Sequence, residues 1–200
     1  MKNISKLLLC LLAAIGSSVV GAVYPERSIR LVVPFATGGT SEIVARSVAS
    51  MLTTSLGQSV YVDNKPGGAG NIAMEEVKRA SPDGYTLMLG HVGTLAVNPA
   101  LFGKKLPYDP NKDFAPVTLV AKVPNVIAVS ERSQYKTLGD LVADAKKNPG
   151  KINYGSAGNG SAGHLAMEYF CSEAGIDLVH VPYKGSGPML TDLIGGQIQA

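Results

Sequence analysis

Two glycine-rich segments carry the groups in this sequence that are best suited to binding an anion. In each segment an apolar run typical of a buried strand leads into small residues and then into a helical pattern. Such a junction presents free backbone N–H groups and the positive end of a helix dipole, which together favour a negatively charged ligand. Hydroxyl groups add further donors, from Thr37, Thr40 and Ser41 in the first segment and from Ser156 and Ser161 in the second.

The first segment also allows a simpler interpretation, because an ordinary strand-to-helix turn has the same pattern. Thr40 and Ser41 are expected to cap the helix that follows. Arg46 lies too far into that helix to clamp a ligand in the turn. If the two segments face each other beyond the carboxyl ends of their strands, we expect them to hold one small carboxylate mainly through backbone amides.

The second segment admits an enzymatic alternative. Gly158, Gly160 and Gly163 form the pattern G-x-G-x-x-G between a predicted strand and a predicted helix, which is the context of a dinucleotide site. A Rossmann site expects an acidic residue at the end of the next strand. Asp177 stands at the start of that strand, whereas Lys184, beyond its end, suits a 2′-phosphate. An NAD(P)-dependent enzyme is therefore the main alternative to a binding protein.

The remaining reactive residues indicate neither a nucleophile nor a metal site. Ser161 and His164 are three residues apart, a spacing typical of a helix cap, and the sequence contains no G-x-S-x-G pattern. His91, His164 and His180 lack the spacing of metal ligands. Cys171 falls near the end of an amphipathic helix and is expected to pack in the core. We therefore predict no catalytic residue, no metal and no cofactor.

The first 22 residues form a predicted secretory signal peptide. Lys2 and Lys6 precede a short apolar core at 7–15, and Val20-Gly21-Ala22 fits a cleavage site after Ala22. Because the apolar core is too short to span a bilayer, no membrane insertion is expected after cleavage. The chain has 18 basic and 15 acidic residues, and two of the lysines lie in the signal peptide. The near-neutral remainder gives no support to nucleic-acid binding.

The order of the elements predicts an α/β protein with parallel-rich sheets. The first half alternates strand and helix as βαβαβ, which implies crossover connections between parallel strands. A proline-rich loop follows at 98–116, and 117–130 is predicted as one extended stretch, broken at Pro124, that carries the chain into a second lobe. The predicted strands of the first half are 24–35, 60–62 and 85–89, and its predicted helices are 41–56 and 72–80.

The second half repeats the alternation of helices and strands. Its last helix is expected to have Pro188 at the first position and Gly195 just past its end. The final residues, 196–200, look like the start of another strand. We predict one lobe at 23–120 and a second at 121–200. The other predicted elements are helix 138–147, strand 151–154, helix 161–174 and strand 178–182.

A set of short motifs is spread over the whole segment after residue 22. In the first half they are Tyr24-Pro25, 29–35, Gly38-Gly39, Ala45-Arg46, 56–58, 64–67, 82–87, Asn98-Pro99, 106–110 and Asp113-Phe114. In the second half they are 154–156, 164–166, 180–185 and 195–197. Each motif alone is weak, but together they are specific, and they resemble one family, the Bug receptors of tripartite tricarboxylate transporters.

The resemblance implies a two-lobed receptor of the periplasmic-binding-protein kind, a type 2 Venus flytrap. Such a receptor binds a dicarboxylate, a tricarboxylate, an acidic amino acid or an aromatic carboxylate between its lobes. It then delivers the ligand to the membrane subunits of the transporter, and a sensor input for a two-component system is a second possible role. By this resemblance the ligand-binding residues are Phe35, Thr37, Gly38, Gly39, Thr40, Ser41, Glu42, Gly155, Ser156, Ala157, Gly160 and Ser161.

Three departures from the family pattern bear on function. Glu42 stands where the family usually has Asp, and Ala73 stands where it often has Gly. Glu42 is expected either as a solvated carboxylate in the first helical turn or as a partner for an amino or hydroxyl group of the ligand. Family members are also longer than 200 residues. We therefore expect this chain to be part of such a receptor, without the return that completes both lobes.

Overall fold

The computed structural model describes residues 23–200, so the predicted signal peptide lies outside the described residues. Within that range the chain forms two parallel sheets, of three and two strands, with helices between the strands. This is the predicted α/β class. No helix among residues 23–200 is long and apolar enough to cross a membrane.

The first sheet is built around one central, fully buried strand. β1 (Ile29–Val33) lies between β2 (Val60–Asn64) and β3 (Thr86–Met88) and is parallel to both. Helices α1 (Thr40–Leu56) and α2 (Asn71–Lys78) make the crossovers. β1 is an almost continuous apolar run because a central parallel strand is buried on both faces. Its ladder ends at Pro34, which has no N–H to donate, so β1 is shorter than the predicted strand at 24–35.

The region predicted as a proline-rich loop contains helical turns. A π-helical turn at Gly93–Val97 leads directly into α3 (Asn98–Phe102), and a 3₁₀ turn follows at Gly103–Lys105. Pro99 lies in the first turn of α3, where its missing N–H costs no hydrogen bond. The prediction of a loop over 98–116 is therefore wrong for its first part.

The second sheet pairs β4 (Asn153–Ser156) with β5 (Val179–Pro182) in parallel, and α4 (Leu138–Lys147), α5 (Ala162–Ala174) and α6 (Ser186–Ile194) complete this half. Helix α4 has the predicted bounds and begins with a capping box between Thr137 and Asp140. Helix α6 begins at Ser186, so Pro188 occupies its third position rather than its first. Residues 199 and 200 hydrogen-bond to the backbone of β4 as a neighbouring strand would, although they form no ladder.

Two separate apolar clusters stabilise the two halves. The first joins β1, β2 and α1, and the second joins α4, β4 and α5 and includes Cys171, as predicted. Between them, residues 115–130 form no strand pairing, and Val117 and Val126 are 84% and 82% exposed. The division into lobes at residue 120 stays a prediction.

Candidate functional site

The loop that follows β1, residues 35–42, is the first loop of the candidate site. The Phe35 ring is buried against the His91 ring at a centroid distance of 5.0 Å, and the Phe35 carbonyl accepts a hydrogen bond from the Asn64 side chain. The Ala36 N–H donates to the carbonyl of Lys184 in the second half of the chain, at 2.9 Å. The first loop is therefore fixed by contacts to both halves.

Glu42 folds back onto the first loop instead of pointing to solvent. Its carboxylate accepts the Gly38 N–H at 2.6 Å and the Arg46 guanidinium at 2.5 Å, and the residue is 8% exposed. The Gly38 hydrogen bond and then the Arg46 hydrogen bond lower the pKa of Glu42 from its ordinary value of 4.5, so the group is ionised at neutral pH. The expectation of a solvated carboxylate is therefore wrong, and Arg46 neutralises Glu42 rather than facing a ligand.

The first loop leaves several amides available at the start of α1. Gly39 is the N-cap residue and no side chain caps the helix, so the expectation that Thr40 or Ser41 would cap it is wrong. Within residues 23–200, the N–H groups of Thr37, Gly39, Thr40 and Ser41 have no protein acceptor. These amides lie at the positive end of a 17-residue helix, an environment that favours an anion, and the anion site itself stays a prediction.

The loop that follows β4, residues 155–161, is the second loop. Ser161 caps α5 by accepting the His164 backbone N–H at 3.3 Å, as the three-residue spacing predicts. Gly160 donates its N–H to His164 Nδ1 at 3.1 Å, and Gly158 donates its N–H to the buried Ser156 hydroxyl at 3.1 Å. Within residues 23–200, the N–H groups of Ala157, Asn159, Ala162 and Gly163 have no protein acceptor.

The two glycines assigned to the second loop therefore donate inside the protein. The Gly155 N–H is bonded to the Ala200 carbonyl at 2.8 Å and the Gly160 N–H to His164. Their contribution to a ligand site is to shape the loop: Gly160 has φ +72° and packs closely against Asn98 and Leu101. Ala157, Asn159 and the two residues after Ser161 supply the available donors.

A stack of three rings lies behind the second loop. The His180 ring stacks on His164 at 4.0 Å and on Tyr154 at 4.9 Å, and His180 Nε2 lies 2.7 Å from the Ser156 hydroxyl. Burial, and then the neighbouring His164, lower the pKa of His180. Burial and a hydrogen bond to Glu168 raise the pKa of Tyr154. His180 and Tyr154 are therefore uncharged at neutral pH.

The sequence analysis missed a third loop, which connects the other two. Residues 183–187 follow β5 and include the first two residues of α6, and we call them the bridging loop. Tyr183 donates its N–H to the Ser156 carbonyl at 3.1 Å, while the Lys184 carbonyl accepts from Ala36 in the first loop. A Cβ atom added to Gly187 would clash with the Thr37 carbonyl oxygen. The signal was present, since Gly185-Ser186-Gly187 also lies between a strand and a helix.

The bridging loop places the starts of two helices against each other. A Cβ atom at Gly39, the N-cap of α1, would lie 3.3 Å from the Ser186 side chain in the first turn of α6. The N–H groups of Ser186 and Gly187 have no protein acceptor within residues 23–200. Two positive helix ends in contact favour an anion between them, in addition to the carboxylate of Glu42.

The geometry gives little support to the alternatives of a nucleophilic serine or a dinucleotide site. The Ser161 hydroxyl accepts the backbone N–H of His164, and the His164 imidazole is bonded to Gly160, so the two side chains do not form a nucleophile–base pair. Asp177 precedes β5, at the end of the sheet away from the glycine loop. A cavity of about 440 Å³ lies elsewhere, between Leu95, Tyr108 and Asn111.

Comparisons with known proteins agree with the fold. Residues 44–200 match the family described as "Tripartite tricarboxylate transporter family receptor". The chain is similar to three solved structures, each over 88% of its length: Rpa4515 of R. palustris with adipate (41% identity, TM-score 0.84), the periplasmic binding protein BugD (39%, 0.82) and MatC of Rhodopseudomonas palustris with bound malate (35%, 0.80).

The match covers only part of these longer proteins. It spans 58–60% of the three solved chains and about half the length of the curated relatives that the sequence matches. The predicted resemblance to Bug receptors and the predicted periplasmic-binding-protein fold are confirmed. Since the family match includes most of the sequence, the chain belongs to the receptor family of the tripartite tricarboxylate transporters.

Proposed function

We propose that this chain is a periplasmic solute receptor that binds a small dicarboxylate or tricarboxylate where the first, second and bridging loops meet. The N-terminal ends of α1 and α6 carry the proposal, because they lie in contact and present amides without protein acceptors. The carboxylate would accept hydrogen bonds from the amides of Thr40, Ser41 and Ser186. The amides of the second loop would hold the other end of the ligand.

The ligands of two relatives support the carboxylate class. Rpa4515 is described with adipate and MatC with malate, and both are similar to this chain over 88% of its length. Amide donors recognise the charge and shape of a carboxylate rather than one molecule. We therefore propose a small panel, with adipate and malate as its first members, rather than a single ligand.

Removal of one amide tests the site directly. Thr40 is the first residue of α1 and follows an extended Gly39, so Thr40→Pro deletes an N–H without breaking the helix. We expect adipate or malate affinity to fall about three- to tenfold, measured by titration calorimetry. The matched control is Leu138→Pro, which changes the first residue of α4 after an extended Thr137.

The control variant should bind as tightly as the wild type, and both variants should melt cooperatively. Equal affinities for Thr40→Pro and the wild type would place the carboxylate elsewhere. No binding of any panel member by a cooperatively folded wild type would contradict the proposed function.

We further propose that the chain delivers its ligand to the membrane subunits of a tripartite tricarboxylate transporter and performs no catalysis. The family assignment supports the transport role, and the separate hydrogen bonds of Ser161 and His164 support a non-catalytic site. Cross-linking of the ligand-loaded protein in a membrane extract tests the partner. Capture of a histidine kinase without transporter subunits would favour the sensor role.

A further inference from the structure

We propose that His164 is a positioning residue: its neutral imidazole holds the second loop in its binding shape, and carboxylate affinity falls when this imidazole is protonated. The inference rests on the proposed function. It concerns a residue that touches the loop through Gly160 and is not itself among the predicted ligand-binding residues. The geometry of three contacts carries it.

The first contact fixes the tautomer of His164. Its Nδ1 accepts the Gly160 N–H at 3.1 Å, so the ring proton must lie on Nε2, which is 4.0 Å from the Glu168 carboxylate. A second proton on Nδ1 would point at the Gly160 N–H and replace a hydrogen bond by a repulsion. Protonation of His164 therefore releases the amide of Gly160.

The second contact joins this imidazole to the rest of the loop. The His164 ring stacks on His180 at 4.0 Å, and His180 Nε2 lies 2.7 Å from the Ser156 hydroxyl that also accepts the Gly158 N–H. Two stacked imidazoles at this distance repel when both are charged. A shift of the His164 ring would therefore be felt by the stacked ring that lies against Ser156 at the start of the second loop.

The third contact limits where the loop can move. Gly160 has φ +72° and packs against Leu101 and Asn98, and its carbonyl faces Gly93. Because the loop fits closely between α5 and the π-helical turn, a rotated Gly160 peptide has little room. Loss of the His164 hydrogen bond is thus expected to change the loop as a whole, including the nearby Ser161 cap.

Other titratable groups face this cluster from each packed element. Glu168 on α5 lies 4.0 Å from His164 Nε2, and it already accepts the Tyr154 hydroxyl of β4. His180 on β5 stacks on the His164 ring. His91 lies just beyond Gly93, whose N–H it accepts at 3.0 Å. The experiment must therefore separate His164 from both of the other histidines.

An asparagine at position 164 provides the central variant. Its side-chain oxygen can replace Nδ1 as the acceptor of the Gly160 N–H but does not titrate. When the pH is lowered from 7.5 to 5.5, both proteins are expected to lose affinity for adipate. The loss should be about three- to tenfold larger in the wild type than in His164→Asn. The ionisation of adipate is common to both proteins and cancels in this ratio.

Two further variants complete the test. His164→Leu removes the acceptor and should bind adipate about three- to tenfold more weakly at pH 7.5. His91→Asn removes the imidazole that contacts Gly93 and should retain the wild-type pH dependence. An equal pH dependence of affinity in the wild type and His164→Asn would overturn the inference. It would also be overturned if lowering the pH to 5.5 strengthened wild-type binding relative to His164→Asn.

A measurement without ligand keeps the inference separate from the proposed function. In ¹⁵N spectra the Gly160 amide should shift with pH in the wild type and not in His164→Asn. If no carboxylate binds at any pH, the proposed function fails, while this titration still tests the positioning role. A Gly160 amide that does not respond to pH in the wild type would contradict that role.

Discussion

The first and second loops have the same strand–loop–helix plan but are fixed by opposite means. The first loop is held by an ion pair, in which Glu42 accepts both the Gly38 N–H and the Arg46 guanidinium. The second loop is held by neutral groups, with His164 bonded to Gly160 and His180 close to Ser156. The first loop is therefore fixed by charged side chains, whereas the second is fixed by imidazole and hydroxyl groups.

The difference shows why similar sequence patterns need not have the same chemistry. Both loops offer amides at a helix N-terminus, yet one of them already contains a carboxylate. Because Arg46 neutralises that carboxylate, a second anion can approach the first loop at little electrostatic cost. The bridging loop sets the distance between the two halves. A substitution in this loop is therefore expected to have the largest effect on stability.

Gly187→Ala should weaken the junction of the two loops most strongly. The added methyl group would overlap the backbone carbonyl of Thr37, which cannot move as a flexible side chain can. We expect the free energy of unfolding in urea to fall by about 2 kcal/mol. Gly163→Ala is the control, because a Cβ there meets no atom within 4 Å and the position is helical. Equal stability of the two variants would mean that the loops are not in contact.

Removal of the internal carboxylate of the first loop should have a smaller effect. Glu42→Ala leaves the Gly38 N–H without its acceptor, so the free energy of unfolding at pH 7 should fall by about 1 kcal/mol. Glu75→Ala is a matched control, since Glu75 and Arg79 form an ion pair with the same spacing on the exposed face of α2. The control should lose about 0.3–0.5 kcal/mol. A larger loss for Glu75→Ala would contradict the structural role of Glu42.

The smallest expected effect is the pH dependence of stability that Glu42 gives to the first loop. The pKa of Glu42 is lower in the folded chain than its ordinary value of 4.5, so its stabilising effect is complete above that pH and disappears as the pH falls through the folded-state pKa. The stability difference between the wild type and Glu42→Gln should be constant from pH 8 to 6 and shrink below pH 4.5. Urea midpoints measured over this range test the expectation, and a difference that grows in acid would contradict it.

Sequence patterns predicted the local units of this fold because those units are encoded locally. The apolar run at 29–33 and the helical spacing at 138–147 were sufficient to predict β1 and α4. The family and the α/β class followed from short motifs. Pro99 misled the prediction because a proline that ends one helix can equally begin another.

The chemistry of the site was less predictable because it depends on residues that are distant in the sequence. The parallel register places Tyr154 opposite His180, which brings the ring stack together across 26 residues. The folding of Glu42 onto Gly38 depends on the left-handed φ of Gly38, +83°, which no spacing reveals. The bridging loop could have been found, since it repeats the pattern that identified the other two.

The central claim is that one carboxylate is bound by amides from both halves of the chain. Backbone ¹⁵N spectra during an adipate titration test it most directly. We predict that the amides of Thr40, Ser41, Ser186 and Ala157 shift together and saturate at one common dissociation constant. Shifts confined to one of the loops, or absent from all three, would contradict a shared carboxylate site.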